Sequence, residues 1–476
     1  MFSATKFLFI LVAKISFGLN SMSHVKTVLN FRNRSITALN NPTLRKALRK
    51  ATDTTNTKRI EAFALVPNFQ ILRDMASSIR MEVIENLAAY VDKFSCNATK
   101  AGAIVHRAHD AESARTIIGD ILKDRGVQKV VKAKSMITEE IQLNIHLERR
   151  GIRSFETDLG EYIVQMAGER PSHITAPAIH MSRQQIGRLF SEKLGVDYTD
   201  DPVVLTSFAQ KALRKEFLTA QAGITGANFA LAESGSLVLF TNEGNGRMVT
   251  TVPPLNIAVM SLEKIIPSLV HLPIFLELLP RSATGQPITS YVSIISGTRK
   301  CGEVSGAEAL HIVLLDNGRS KIAASDYREI LKCIRCGACM NVCPVYRVVG
   351  GHCYDSTYAG PMGIVLTILL EGMDHAHTLA DASTLCGACV EVCPVQVPLV
   401  KLISKLRERK VRENFPTALE RSGMLAFGLA SETPILYGLG QWSLGMLWPV
   451  LERMAGKGPL ARIPKPHQLP LRRRLK

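Results

Sequence analysis

The chain has 476 residues, 58 Lys and Arg against 41 Asp and Glu, and a formal net charge of +17. An apolar fraction of 46% with 21% charged residues is that of a folded globular protein, which excludes wholesale disorder, and the length predicts about two to four domains. The charge is uneven: residues 1–60 and 401–476 each sum to +10, which leaves the 340 residues between them at −3. Nucleic-acid binding wants positive charge on a folded face, so no nucleic-acid partner is expected.

In chain order, residues 1–60 read as a basic N-terminal extension. Phe7–Ala13 is a run of only seven apolar residues, followed by Lys14 and lacking a small-residue cleavage site, so it reads as an extension ahead of Met22 rather than an export signal. Met1 and Met22 compete as the translation start. No apolar run reaches the ~20 residues that span a bilayer. Asn68–Lys93 carries Ile79, Val83, Leu87 and Val91 at intervals of four, which predicts helix.

From there to about residue 300, short β-rich runs alternate with helical ones. Ala103–His106, Val127–Val131, Ile152–Glu156 and Ile174–Ala176 read as strands; Ala111–Lys123 and the stretches near 138–149 and 183–194 read as helices. This alternation predicts an α/β domain over residues 61–305 with a largely parallel sheet. Phe229–Glu233 and Ser236–Thr241 around Ser234-Gly235 read as a hairpin, and Ile257–Met260 and His311–Leu315 as further strands. The Gly/Asn-rich segments 223–226 and 242–246 are either hairpin turns or a ligand cradle, with Arg247 beside them able to bind a carboxylate or phosphate. Glu139, Glu156 and Glu233 are acid–base candidates whose convergence spacing alone cannot show. No G-x-G-x-x-G or G-x4-G-K-[ST] motif is present, so nicotinamide and nucleotide-hydrolase readings lack support.

Eight of the ten cysteines fall between residues 333 and 393, which points to metal rather than disulfides and to a reducing, cytoplasmic compartment. The first motif is Cys333-x2-Cys336-x2-Cys339-x3-Cys343-Pro344, and the second is Cys386-x2-Cys389-x3-Cys393-Pro394. The first is the bacterial 4Fe–4S run, whose fourth cysteine ligates the other cluster in two-cluster ferredoxins. That crossing rule assigns Cys333, Cys336, Cys339 and Cys393 to one 4Fe–4S cluster and Cys343, Cys386 and Cys389 to a second. Zinc wants four ligands per site and explains neither seven motif thiols nor two Cys-Pro endings. An eighth ligand is open among Ser383, Cys353 and none from the chain. Cys96 and Cys301 are expected to be small buried hydrophobes. The long loop between the motifs, with Gly360-Pro361 ahead of the apolar Ile364–Leu370, fits an α-helical ferredoxin module over residues 306–410. Residues 411–476 form a basic C-terminal region whose apolar stretch 423–451, with Trp442 and Trp448, is either a docking segment or core.

Cys333-Ile-Arg-Cys-Gly-Ala-Cys-Met-Asn-Val-Cys-Pro344, Gly350-Gly351-His352 and Leu385-Cys-Gly-Ala-Cys-Val-Glu-Val-Cys-Pro-Val395 resemble the lactate utilization protein B family. So do Lys132-Ala-Lys-Ser-Met-Ile-Thr-Glu-Glu140, Glu156-Thr-Asp-Leu-Gly-Glu-Tyr162, Gly223 through Met248, and Leu314-Leu-Asp-Asn-Gly-Arg-Ser320, over roughly residues 30–455. The resemblance implies a lactate-utilization (LUD) α/β domain of the CoA-transferase and ribose-phosphate isomerase fold class, followed by the two-cluster module. It further implies a non-catalytic electron-transfer subunit in the oxidation of L-lactate to pyruvate. The implied partners are a cysteine-rich redox subunit of the CCG-domain type and a second LUD-domain protein. The basic ends suit docking on such partners, or on a membrane surface with a quinone-linked acceptor. A dehydrogenase or reductase with chemistry in the LUD domain, and an iron–sulfur sensor or assembly component, are the alternatives.

Overall fold

The computed structural model describes residues 30–415 and, with breaks at 434, 436–437, 441, 444–445 and 448, residues 418–449. Phe7–Ala13, both candidate start methionines, Trp448 and the terminal Arg472–Lys476 lie outside the described residues. The chain divides into two compact units, Met1–Arg407 and Glu408–Lys476.

Residues 31–60 are not a leader. They form the helices Phe31–Leu39 and Pro42–Ala64, each started by an asparagine side chain that accepts a backbone N–H, Asn30 from Asn33 and Asn41 from Leu44. The longer helix buries Leu48, Thr52 and Phe63 and leaves Arg45, Lys46, Arg49 and Lys50 exposed. Arg347 Nε donates to Thr52 Oγ1 at 3.2 Å, which ties this helix to the cysteine-rich segment. The basic composition therefore marks the solvent face of an integrated amphipathic helix.

The sheet domain has six parallel strands in the order β1-β10-β7-β4-β2-β3, where β1 is Ile104–Ala108, β2 Lys129–Lys132, β3 Arg153–Glu156, β4 Ala222–Thr225, β7 Leu255–Ser261 and β10 Ala309–Leu315. Every residue of β7 and of β10 is buried, as expected of central strands covered on both faces. One face packs Ile118 and Leu122 of helix Ala111–Asp124 against Val130, Ile257 and Val313. The other packs Val83, Leu87, Val91 and Phe94, from helices Phe69–Glu85 and Leu87–Lys100, against Met260, Ile312 and Leu314. A second sheet, β8-β5-β6-β9, contains the hairpin of β5 (Phe229–Leu231) and β6 (Ser236–Thr241), flanked by β8 (Ile265–Ile266) and β9 (Tyr291–Ile295).

Three expectations are corrected. The boundary at 305/306 falls inside the sheet domain, because β10 pairs with both β1 and β7. Residues 223–225 belong to β4 rather than to a loop; a glycine there is needed because a Cβ on Gly223 would meet Val249 O at 2.0 Å. Ile174–Ala176 is not a strand. It lies in an irregular segment beside the cysteine loops, where His173 Nδ1 accepts the Thr175 N–H.

The α/β sheet domain is followed by a helical cysteine segment, in which Gly360–Glu371 is the longest element before Leu399–Arg412. In the second unit, helix Ala418–Glu432 exposes Met424, Leu425, Phe427 and Leu429. No helix among the described residues is long and apolar enough to cross a membrane.

Candidate metal centre and the adjoining cavity

The two cysteine motifs fold into the same loop. In the first, Arg335 (φ 62°) and Gly337 (φ 78°) flank Cys336; in the second, Leu385 (φ 56°) and Gly387 (φ 88°) flank Cys386. Each loop runs into a four-residue helix, Ala338–Asn341 or Ala388–Glu391. Left-handed residues so placed turn successive N–H groups toward one side, an arrangement that suits a negatively charged sulfur cage. The match pairs Cys333 with Ser383, so the second loop lacks one thiol at the corresponding place.

Electrostatic contact sorts the thiols into two groups. Burial raises the Cys336 thiol, followed by the neighbouring Cys333 and Cys393. Cys339 is raised by burial, then by Cys333, Cys336, Cys389 and Cys393. Burial and then Cys343 and Cys386 push Cys389 up to about 12. Cys343 is itself raised by burial and, more weakly, by Cys386. Cys333, Cys336, Cys339 and Cys393 thus gather at one place and Cys343, Cys386 and Cys389 at another, with Cys389 close enough to Cys339 and Cys393 to be the second group's link to the first. Cys333, Cys336, Cys339 and Cys393 line a cavity whose remaining wall includes Ile174, Met362, Val397 and Leu399.

The donor set fits iron–sulfur clusters. All ten cysteines are free thiols despite this crowding. Backbone N–H groups already point at sulfur: Arg335 to Cys333 (3.4 Å), Tyr346 to Cys343 (3.5 Å) and Val397 to Cys393 (3.3 Å). Soft thiolates in an apolar shell with N–H···S bonds are what such clusters require. Grouped buried thiols that repel one another as thiolates need a cationic partner to deprotonate together.

Cys353 stands apart from both groups. Its Sγ donates to Val349 O at 3.1 Å and approaches Arg34 O at 3.4 Å, and its charged neighbour is Arg34 rather than a thiol. Ser383 Oγ accepts the Leu385 N–H at 3.1 Å. Cys96 and Cys301 are exposed, contrary to expectation: Cys96 falls on the outer side of helix Leu87–Lys100 and Cys301 in the loop ahead of β10.

A buried ion network joins the sheet domain to the first cysteine loop. Glu263, at the end of β7, meets Arg319 (2.9 Å) and Arg335 (3.0 Å), and Arg319 also meets Glu140 (2.6 Å). The Tyr358 hydroxyl donates to Glu140 at 2.6 Å, and the Arg335 guanidinium lies 5.3 Å from the Tyr358 ring centre. Burial alone would raise the Glu263 carboxyl, but Arg319 and Arg335 outweigh it and bring it down to about 2. Arg80, fully buried, donates to the Leu331, Lys332 and Ile265 carbonyls and so anchors the segment that leads into Cys333.

Beyond Arg335 lies a cavity of about 300 Å³ at the C-terminal ends of β2, β4 and β7. Asn242, Glu243 and Asn245 of the 242–246 loop line it, whereas Arg247 is exposed and outside the lining. Lys264 reaches it and makes no hydrogen bond or ion pair with any described residue; burial, with Arg335 nearby, brings its ammonium down to about 7. Of the acid–base candidates, Glu139 and Glu156 converge on buried Lys132, at 2.9 and 2.7 Å, outside the cavity lining. Burial and then Glu156 raise neighbouring Glu161 well above the usual carboxyl range. Glu233 is exposed on the hairpin turn. Spacing gave no sign of Glu263, Lys264 or Tyr358; Glu140 and Arg319 fall within segments already singled out for their resemblance.

A LUD domain family model matches residues 91–315, and a 4Fe-4S dicluster domain model matches residues 329–397. Relatives named lactate utilization protein B match nearly end to end. The one from Bacillus licheniformis is 44% identical over 90% of this chain and 91% of its own length. The one from Bacillus subtilis is 43% identical over 92% and 94%. The one from Geobacillus sp. is 46% identical over 86% and 87%.

Proposed function

The chain belongs to the lactate utilization protein B family, and from that premise we propose that it is the iron–sulfur electron-transfer subunit of an L-lactate utilization system, acting in the oxidation of L-lactate to pyruvate. The observation that carries this reading is the crosswise gathering of thiols: Cys393 joins Cys333, Cys336 and Cys339, while Cys343 joins Cys386 and Cys389. These are the ligand sets of the two 4Fe–4S clusters, with Ser383 or solvent completing the second set. When bound, each cluster supplies one-electron storage.

The chain's own residues hold the first site in place and apart from water. Arg80 fixes the entry to the first loop, Arg335 covers it from the cavity side, and Met362 and Leu399 shield it from the helical side. The exposed Cys386 brings the second group to the surface, where a partner can approach. The partners of this reading are a cysteine-rich redox subunit of the CCG-domain type and a second LUD-domain protein, in the cytoplasm. The exposed apolar residues of helix Ala418–Glu432 and the basic tail serve docking on them, or on a membrane surface beside a quinone-linked acceptor.

Anaerobically purified protein is expected to hold about eight irons and eight sulfides per chain. Cys343→Ser reduces both to about four and stops L-lactate oxidation by the reassembled complex. Four irons in the wild type, zinc in their place, or undiminished lactate oxidation by the variant overturns the reading.

A further inference from the structure

We infer that the cavity beyond Arg335 is a binding site for a small 2-hydroxy or 2-oxo monocarboxylate, with Lys264 as the counter-ion of its carboxylate. The position is the first argument. β2 and β4 are neighbours in the sheet, but the chain leaves β2 toward β3 on one side and leaves β4 toward β7 on the other. That divergence opens a crevice at the carboxyl ends of the strands, the place where open α/β sheets bind ligands. The segments that follow β2 and β4, including Ser135 and Asn228, line it.

Charge is the second argument. The lining holds three cations, Lys134, Lys264 and Arg335, against two carboxylates, Asp158 and Glu243. Lys134 is committed to Asp158 at 3.4 Å and Arg335 to Glu263 at 3.0 Å, which leaves Lys264 as the uncommitted cation among these three. Of the two lining carboxylates Asp158 is held by Lys134 and Glu243 is exposed, so the one unpartnered ammonium inside the cavity, that of Lys264, matches a single carboxylate and leaves a nucleotide or sugar phosphate under-neutralised. The polar groups suit the neighbouring oxygen of such an acid. Asn228 uses its amide oxygen to accept the Phe240 N–H (2.9 Å), which leaves Nδ2 as a donor. At about 300 Å³ the volume is that of a small-molecule site.

Location gives the site its meaning. Ile174, Ile334 and Arg335 line both this cavity and the one enclosed by Cys333, Cys336, Cys339 and Cys393, so a bound acid sits one side-chain layer from the first thiol group. The inference rests on the lactate-utilization reading only for the choice of L-lactate and pyruvate as probes.

The test is calorimetric titration of the anaerobic, iron-replete full chain with L-lactate, pyruvate and inorganic phosphate. Saturable binding of at least one of the two acids is expected, with phosphate weaker. Lys264→Met is expected to weaken acid binding by about 10- to 100-fold, the loss of one charge-assisted contact. Asn228→Asp keeps the acceptor for Phe240 and places a repelling carboxylate in the cavity; it is expected to weaken binding to a similar degree. Both variants retain the wild-type iron content. No saturable binding of either acid, equal binding of phosphate, or unchanged affinity in both variants overturns the assignment. A wrong iron count strikes the electron-transfer reading instead, so the two fail separately.

Discussion

The two cysteine loops share a backbone and differ in what they face. Arg335, at a left-handed position before Cys336, is buried against Glu263 and Tyr358 and separates the first thiol group from the cavity. Leu385 holds the corresponding position before Cys386, has no ionic partner among the described residues, and leaves Cys386 exposed. Where one loop has Cys333, the other has Ser383. One loop geometry can therefore be turned toward a buried ligand site or toward solvent, according to what packs on the residue ahead of its CxxC cysteine. The first loop is locked to the sheet domain by a charge network; the second is tied by Arg73, which donates to the Cys393 and Glu391 carbonyls, and by Arg407, which donates to the Ala380 and Ser383 carbonyls.

The largest effect that would sharpen this contrast is iron removal. The cysteine loops themselves run into four-residue helices, which do not persist on their own, so their order depends on the metal. After chelation, hydrogen exchange is expected to lose protection across residues 336–343 and 386–393 while β7 and β10 keep theirs. Equal protection in both states would break the comparison.

Next in size is the network itself. Glu263→Gln leaves Arg319 and Arg335 buried without their shared carboxylate, a loss of about 3–5 kcal/mol. Calorimetric melting checks it, and a cost below about 1 kcal/mol would show that the first loop is held by something else. The same residue sets a pH dependence. Its folded value, about 2, lies below the ordinary 4.5, so its contribution is complete above about pH 4.5 and is lost as the pH falls toward 2. In Glu263→Gln the decline in stability between those limits becomes shallower.

The smallest effect is expected at Cys353. Its thiol serves backbone carbonyls rather than either group, so Cys353→Ala leaves iron and sulfide counts unchanged and costs about 1 kcal/mol. Loss of iron in that variant would make Cys353 a ligand and give the second group the fourth thiol it lacks.

Much of this protein was legible in its sequence because the information was local. Cysteines two and three residues apart can share a small inorganic core only by wrapping it in one loop, so spacing alone announced the iron–sulfur chemistry. The hairpin at Ser234-Gly235 and the parallel α/β alternation followed from turn chemistry and apolar period. Only the tertiary structure decided the rest, because those features join residues far apart in the chain. A parallel sheet takes neighbours out of sequence order, which is why β10 belongs beside β1 and β7 and why the domain boundary falls after residue 315. The convergence of Glu139 and Glu156 on Lys132, the Glu140–Arg319–Glu263–Arg335 chain, and the solitary Lys264 are equally nonlocal. In each case a charge is tolerated away from water only because the fold supplies its partner, or, at Lys264, leaves room for one.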